Sequence, residues 1–349
     1  MINLMKYYIK KRLPLFIIVL SITLIVTLIY LSSNDFIRNA IRDGKEIIEI
    51  SSVGLSYIAG IAILYSLLIP IYEFSFKMKR KGCDLFYSLP IKRNKLFLSK
   101  YLFGLLELNL ILIINFLVLF LTIIIKFNGV NFTNIVFNPM HLLLYLPFLI
   151  IIASLLYSLN TFFYTRGNTI FDGILIMILG GFILGAIIYG LRFYLMDLKV
   201  INYKSNLLFL NGYHYMPFIS IVNITSQFEY LVKVGVFEFN EIYPDMILWS
   251  ISALFIVLFI ILSKKEKAEN AEDLSESYFS YKIMIPIYII SLFLFCEYKN
   301  FSFIAIIIGG YIAYVIYNRN FLIRKWNLIT FIICVSTGFG LMAIKLLIQ

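Results

Sequence analysis

Residues Phe103 to Ile125 read FGLLELNLILIINFLVLFLTIII, 23 residues with a single charge, Glu107. About 20 predominantly apolar residues suffice to cross the hydrocarbon core of a bilayer as an α-helix. In lipid each backbone amide must find its partner within the protein, and a helix does this inside its own segment. The run is helix-length, unlike the short alternating runs of a membrane barrel. Composition agrees: 61% of the chain is apolar and 14% charged, against roughly 45–50% and about 25% in soluble domains. Too little polar surface is available to cover 349 residues in water. The formal charge of +11 raises the question of nucleic acid, but a membrane protein collects lysine and arginine on its cytoplasmic face. The expected fold class is therefore an all-α polytopic integral membrane protein, with no nucleic-acid partner.

Outward from this span, apolar runs recur along the chain. Leu13 to Leu31, Leu55 to Phe74, Leu142 to Phe163, Thr169 to Tyr189 and Met246 to Leu262 complete a set of six. Three further candidates follow, Ile283 to Cys296, Phe301 to Tyr317 and Leu328 to Leu346, for a total of nine. The first of these is short, so it is either one arm of a tight hairpin or a piece that does not span. Met1 to Arg12 carries Lys6, Lys10, Lys11 and Arg12, with Ile2, Met5, Tyr8 and Ile9 at helical spacing. It reads as an interfacial amphipathic helix leading into an uncleaved first span; a disordered basic tail is the plainer alternative. An N-terminus inside places twenty of the 30 basic residues in cytoplasmic segments, as the positive-inside rule expects. Leu191 to Asp245 then lies outside, and the chain is a multi-pass protein of the cell membrane.

Motifs of chemistry are missing. Gly44-Lys45 lacks the upstream glycine of a nucleotide-binding loop, and no Gly-x-Ser-x-Gly elbow occurs. The two histidines, His141 and His214, form no metal-ligand spacing. Cys83, Cys296 and Cys334 fall inside or in the membrane, so no disulfide framework is expected. The chain is not expected to be an enzyme or to hold a metal or cofactor itself.

The informative polar segment is Lys77 to Lys100, KMKRKGCDLFYSLPIKRNKLFLSK. Asp84 is placed to cap a short helix, Leu85 to Leu89, that Pro90 ends. Leu85, Phe86 and Leu89 share one face, and basic residues flank it. Such a helix on the cytoplasmic side needs a covering surface, either a protein partner or anionic lipid.

Asp84-Leu85-Phe86-Tyr87-Ser88-Leu89-Pro90-Ile91-Lys92-Arg93 resembles the loop between spans two and three of ABC-2 type transporter permeases. In that family the short helix is the coupling helix that docks on a separate ATPase subunit. The resemblance covers roughly Met1 to Ser263 and implies an ATPase-coupling role for Asp84, Leu85, Phe86, Tyr87, Leu89, Pro90, Lys92 and Arg93. It also implies an ABC ATPase partner carrying ATP and Mg, and a second permease chain, identical or not. Residues 1–263 would form the permease core, with the coupling helix around 84–90. The charged stretch 264–282 resembles a cytoplasmic linker of longer bacterial members, and 283–349 would be an added transmembrane region. Lys345 sits at a span end where it can snorkel.

Ionisable residues inside spans default to a functional reading. Glu73, Glu107 and Asp172 all lie toward the cytoplasmic side. Glu73 and Asp172 are close enough to the interface to snorkel, whereas Glu107 is deepest and is expected to pair with Arg93 or Lys100. Gly181 and Gly185 form a small-xxx-small pair; the resemblance makes this face a candidate dimer contact. The resulting expectation is an exporter of a peptide, lipid or amphipathic compound. An integral membrane lipid or glycan transferase, and a sensor or immunity protein that binds a peptide or lipid without moving it, are the rival readings.

Overall fold

The computed structural model describes residues 2–42, 45–88, 91–130, 138–200, 212–237, 239–263, 271–273, 275, 277–296 and 302–348. The basic N-terminal segment and the first span are one continuous helix, α1 (Ile2–Ser33). Pro14 lies within it and removes only the amide that would meet the carbonyl of Lys10, an exposed residue. The polar segment that follows holds an antiparallel hairpin, β1 (Ile37–Arg42) and β2 (Lys45–Ile50), with Ile37 opposite Ile50. Next come α2 (Leu55–Phe74), a 3-10 turn (Ser75–Met78), α3 (Arg80–Tyr87) and α4 (Arg93–Phe127). At 35 residues α4 is about 52 Å long by its rise per residue, more than the ~30 Å of the hydrocarbon core. The chain continues through α5 (Pro139–Tyr164), α6 (Ile170–Asp197), α7 (Pro217–Val234) and α8 (Phe239–Ser263). A π-turn (Tyr278–Lys282) leads into α9 (Ile283–Phe295), α10 (Ser302–Asn318) and α11 (Lys325–Ile348).

Among the described residues seven helices are long and apolar enough to cross a membrane: α1, α2, α4, α5, α6, α8 and α11. The other two expected spans, α9 and α10, have 13 and 17 residues; both fall short of the usual ~20.

Packing divides the chain into two compact units that do not follow its order. The first comprises residues 1–73, 91–158 and 221–264, and the second 74–90, 159–220 and 265–349. The boundary expected near Ser263 is thus only one of several crossings between units.

The core of the first unit has a polar thread through apolar packing. Asn115 on α4 is fully buried, as is Thr27 on α1. The Asn115 side-chain amide donates to the Ile111 carbonyl at 2.8 Å and to Thr23 Oγ1 at 3.2 Å. Its Oδ1 accepts from Thr27 Oγ1 at 2.7 Å. The one proton of the Thr27 hydroxyl is shared between Asn115 Oδ1 and the Thr23 carbonyl, 2.8 Å away, so Tyr57 is the donor in the 3.1 Å Tyr57–Thr27 contact. Tyr57 also stacks on Tyr30 with ring centroids 4.3 Å apart. Both Asn115 donors and its acceptor are thereby satisfied without water, and α1, α2 and α4 are fixed in one register. Gly104 of α4 serves close packing: a Cβ there would collide with the phenol of Tyr157, which donates to the Tyr101 carbonyl at 3.2 Å.

In the second unit α9 is the hub, in contact with α6, α10 and α11. Gly190 on α6 lies against the Ser291 carbonyl and Leu294, and Gly310 on α10 against Ile289. These glycines let the short α9 nest among its neighbours.

Replacing Asn115 by Leu should lower unfolding stability in detergent by about 1–2 kcal/mol, the usual worth of interhelical polar contacts. Tyr57→Phe should cost less, because Thr27 keeps Asn115. Denaturation curves followed by circular dichroism give the order, and an equal or larger loss for Tyr57→Phe would contradict it.

Candidate functional site

Two constellations of polar residues stand out, one in each unit. In the second unit a short helix follows the second span, as expected, but it begins earlier than the sequence suggests. α3 spans Arg80–Tyr87, and Asp84 lies inside it, where its carbonyl accepts from the Ser88 amide at 3.1 Å. Asp84 is therefore not the N-cap; Lys79, in extended conformation, holds that position. The start is set by close packing on the 3-10 turn. Buried Cys83 reaches the Lys77 carbonyl at 3.0 Å, and a Cβ at Gly82 would meet the Phe76 carbonyl at 2.6 Å.

Phe86 and Tyr87 fold back on Phe76, with centroids 4.7 and 6.4 Å apart. Of the described residues of the expected apolar face, Leu85 points outward, 64% exposed, beside exposed Asp84. Lys92 and Arg93 are exposed at the start of α4, whereas Leu89 and Pro90 lie outside the described residues.

Polar contacts tie this helix to the rest of its unit. The buried Lys77 ammonium donates to the Thr165 carbonyl in the turn between α5 and α6. Arg80 sits 3.5 Å from Glu272 and 3.9 Å from Asp273. Glu272 in turn donates its amide to the Asn168 carbonyl at 3.0 Å. Asp172, expected near an interface, is buried at the N-terminus of α6, where an acid suits the helix dipole. Thr169 caps the helix, and its hydroxyl lies 2.7 Å from Asp172 Oδ2. Arg319 Nη2 meets the same oxygen at 2.9 Å, and the Tyr281 phenol donates to Oδ1 at 3.1 Å. Asp172 does not snorkel; its carboxylate is answered from two distant parts of the chain.

The first unit holds the second constellation. Glu73 closes α2 with 1% of its side chain exposed. Arg12 of α1 stands 2.9 Å from Glu73 Oε1, although its N–H is not aligned for a hydrogen bond. Lys100 of α4, 2% exposed, lies 3.5 Å from Oε2 and donates to the Glu73 carbonyl at 3.1 Å. The Arg12 guanidinium covers the Tyr72 ring at 3.8 Å, a cation–π contact. The expected pairing of Glu107 with Arg93 or Lys100 does not form. Lys100 is oriented to Glu73 instead, and Glu107 Oε1 is buried with no hydrogen bond, within electrostatic reach of the cluster. One carboxylate thus faces two cations from two other helices, and Arg12 is the member that sequence reading assigned to the surface segment.

Other expectations change with the geometry. Gly181 is packed inside its own unit: a Cβ there would meet the Phe218 ring at 2.7 Å. Gly185 is buried as well, so this pair serves packing within the chain and offers no open face. Lys345 does not snorkel either; it is 2.6 Å from Asp197 and donates to the Leu294 carbonyl at 2.8 Å. Asp245, placed by sequence in an outer segment, is buried and accepts from Asn223 at 2.7 Å. Among the described residues no group of histidine, cysteine or acidic side chains is arranged to hold a metal.

No protein-family model matches the chain, and no curated protein or solved structure is similar to it. The fold nevertheless defines the class: the chain is a predominantly α-helical, multi-pass membrane protein.

Removing one partner of a buried ion pair strands the others, at a cost of ~3–5 kcal/mol. Glu73→Gln should therefore strongly lower the fraction of monodisperse protein after extraction. Lys100→Met in the Glu73→Gln background should recover part of the loss, although Lys100→Met alone is destabilising. Size-exclusion profiles and melting temperatures of the four proteins test this, and additive losses would rule out the coupling.

Proposed function

We propose that the chain is the membrane-spanning subunit of an ATP-driven exporter of the ABC-2 type. The supporting observation is α3: a short amphipathic helix inserted between two long apolar ones, with Leu85 and Asp84 exposed and its basic flank on the polar end of α4. Leu85 is the apolar side chain of α3 available to meet a partner. In this reading the partner is an ATPase subunit that binds ATP and Mg, and a second permease chain completes the pathway. Nucleotide drives transport by binding the two conformations with different affinity, and α3 carries the motion into the spans. Cys83 and Phe76 pack α3 against the 3-10 turn that ends the second span. The cargo class is a peptide, lipid or amphipathic compound.

The positive-charge bias supports a cytoplasmic position for α3 and for the N-terminus. The native cysteines are buried, so introduced cysteines report position. In intact cells Met140→Cys should react with a membrane-impermeant maleimide and Leu85→Cys should not; the reverse pattern would invert the topology.

Docking is tested by co-purification of ATPase subunits from the same cells with the tagged chain. Leu85→Asp places a charge in the interface without disturbing packing, and should reduce ATPase recovery about tenfold or more while the size-exclusion profile stays unchanged. Phe86→Asp should instead damage the fold, because Phe86 packs on Phe76. Undiminished recovery with Leu85→Asp would remove the support that α3 lends to the reading.

A further inference from the structure

The charged stretch after α8 reads in sequence as a linker, and the helices beyond it as an addition. The contacts within the second unit point elsewhere. Glu272 and Asp273 face Arg80 of α3, and the Arg80 amide also lies 3.4 Å from Glu272 Oε1. The Ser275 hydroxyl is buried and donates to the Arg166 carbonyl at 2.6 Å, and the Ser275 carbonyl accepts from Tyr317 at 3.2 Å. Tyr281 and Arg319 both end on Asp172. A second guanidinium nitrogen of Arg319 donates to the Glu272 carbonyl at 3.2 Å.

Glu272 and Arg319 share a further feature. Their backbones are left-handed, with φ of +69° and +52°. A residue with a side chain holds that conformation when its surroundings enforce it. Glu272 is held at both ends, since the Arg319 side chain binds its carbonyl while its amide binds the Asn168 carbonyl. The turn between α5 and α6 is held from one side by this pair and from the other by Lys77.

We propose that Asp172, Tyr281, Glu272 and Arg319 form a clamp through which the C-terminal helices α9–α11 position α3, so that these helices belong to the coupling apparatus. The polar links run from the end of α10 to Asp172 and Asn168, from the α5–α6 turn to Lys77, and from Glu272 directly to Arg80. Arg319 is a positioning residue: it touches neither α3 nor any ATPase surface in this structure, and acts through Glu272 and Asp172. The exposed Arg80 pairs are weak individually. The clamp's strength lies in the buried contacts of Asp172, Ser275 and Lys77.

This inference rests on the role proposed for α3, but the position of α3 is measurable by itself. A nitroxide on Leu85→Cys reports the mobility of α3 in the full chain, because the native cysteines are buried. Arg319→Ala should mobilise the label, while Asp172 keeps its contacts with Thr169 and Tyr281. Arg319→Lys should restore order in part, by keeping one charged contact. Glu272→Ala combined with Asp273→Ala should mobilise the label without touching Asp172. In unlabelled chains the same variants should weaken ATPase binding about tenfold, in the usual range of coupling between sites. A label as immobile in Arg319→Ala and in the double variant as in the native chain overturns the clamp. Mobilised labels without ATPase binding even to the native chain would leave the clamp standing and refute the docking role of α3.

Discussion

A charge or polar group inside the hydrocarbon must be answered within the protein, because no water is there to do it. That single constraint accounts for the residues that set the arrangement of both units. In the first, Glu73 draws Arg12 and Lys100 from two other helices, and Asn115 gathers Thr23, Thr27 and Tyr57. In the second, Asp172 collects Arg319 and Tyr281, and Lys345 reaches Asp197. Apolar packing brings helices together with little preference for one rotation over another. These polar junctions select the rotation, since a slipped helix would leave a buried charge alone.

The same constraint shapes the division of the chain. α9 has 13 residues and is too short to cross the bilayer unaided, yet it is the most connected helix of its unit. Its neighbours supply glycines where it approaches them, and Lys345 binds the carbonyls of Leu294 and Cys296 at its end. A helix end in lipid leaves carbonyls unpaired, and a buried lysine answers them. α9 is thus built for the interior of a helix assembly, which is why the C-terminal helices pack with α6 rather than standing apart.

The spans were legible because hydropathy over ~20 residues is a local property. Seven of the nine expected runs appear as helices of spanning length, and the shortness of the Ile283 run was visible too. The hairpin at 37–50 was missed, although Asp43-Gly44 between isoleucine-bearing runs is a recognised hairpin signal. α3 was expected five residues late, because Asp84 and Pro90 are strong local signals while the contact of Gly82 with Phe76 is tertiary. Arg12 is 61 positions from Glu73 and Arg319 147 positions from Asp172, and no local pattern reveals such pairings. Charge inside a span identified the residues; only the fold shows which cation each acid meets.

If α3 is a docking helix, the chain does not act alone. Native mass spectrometry after mild solubilisation of the tagged protein from its own membrane addresses that directly. The account predicts an assembly containing two permease chains, at least one of them this 40.6 kDa subunit, and two ATPase subunits, with ATP hydrolysis in the same preparation. A 40.6 kDa monomer without nucleotide hydrolysis, under conditions that keep other membrane complexes intact, would contradict it.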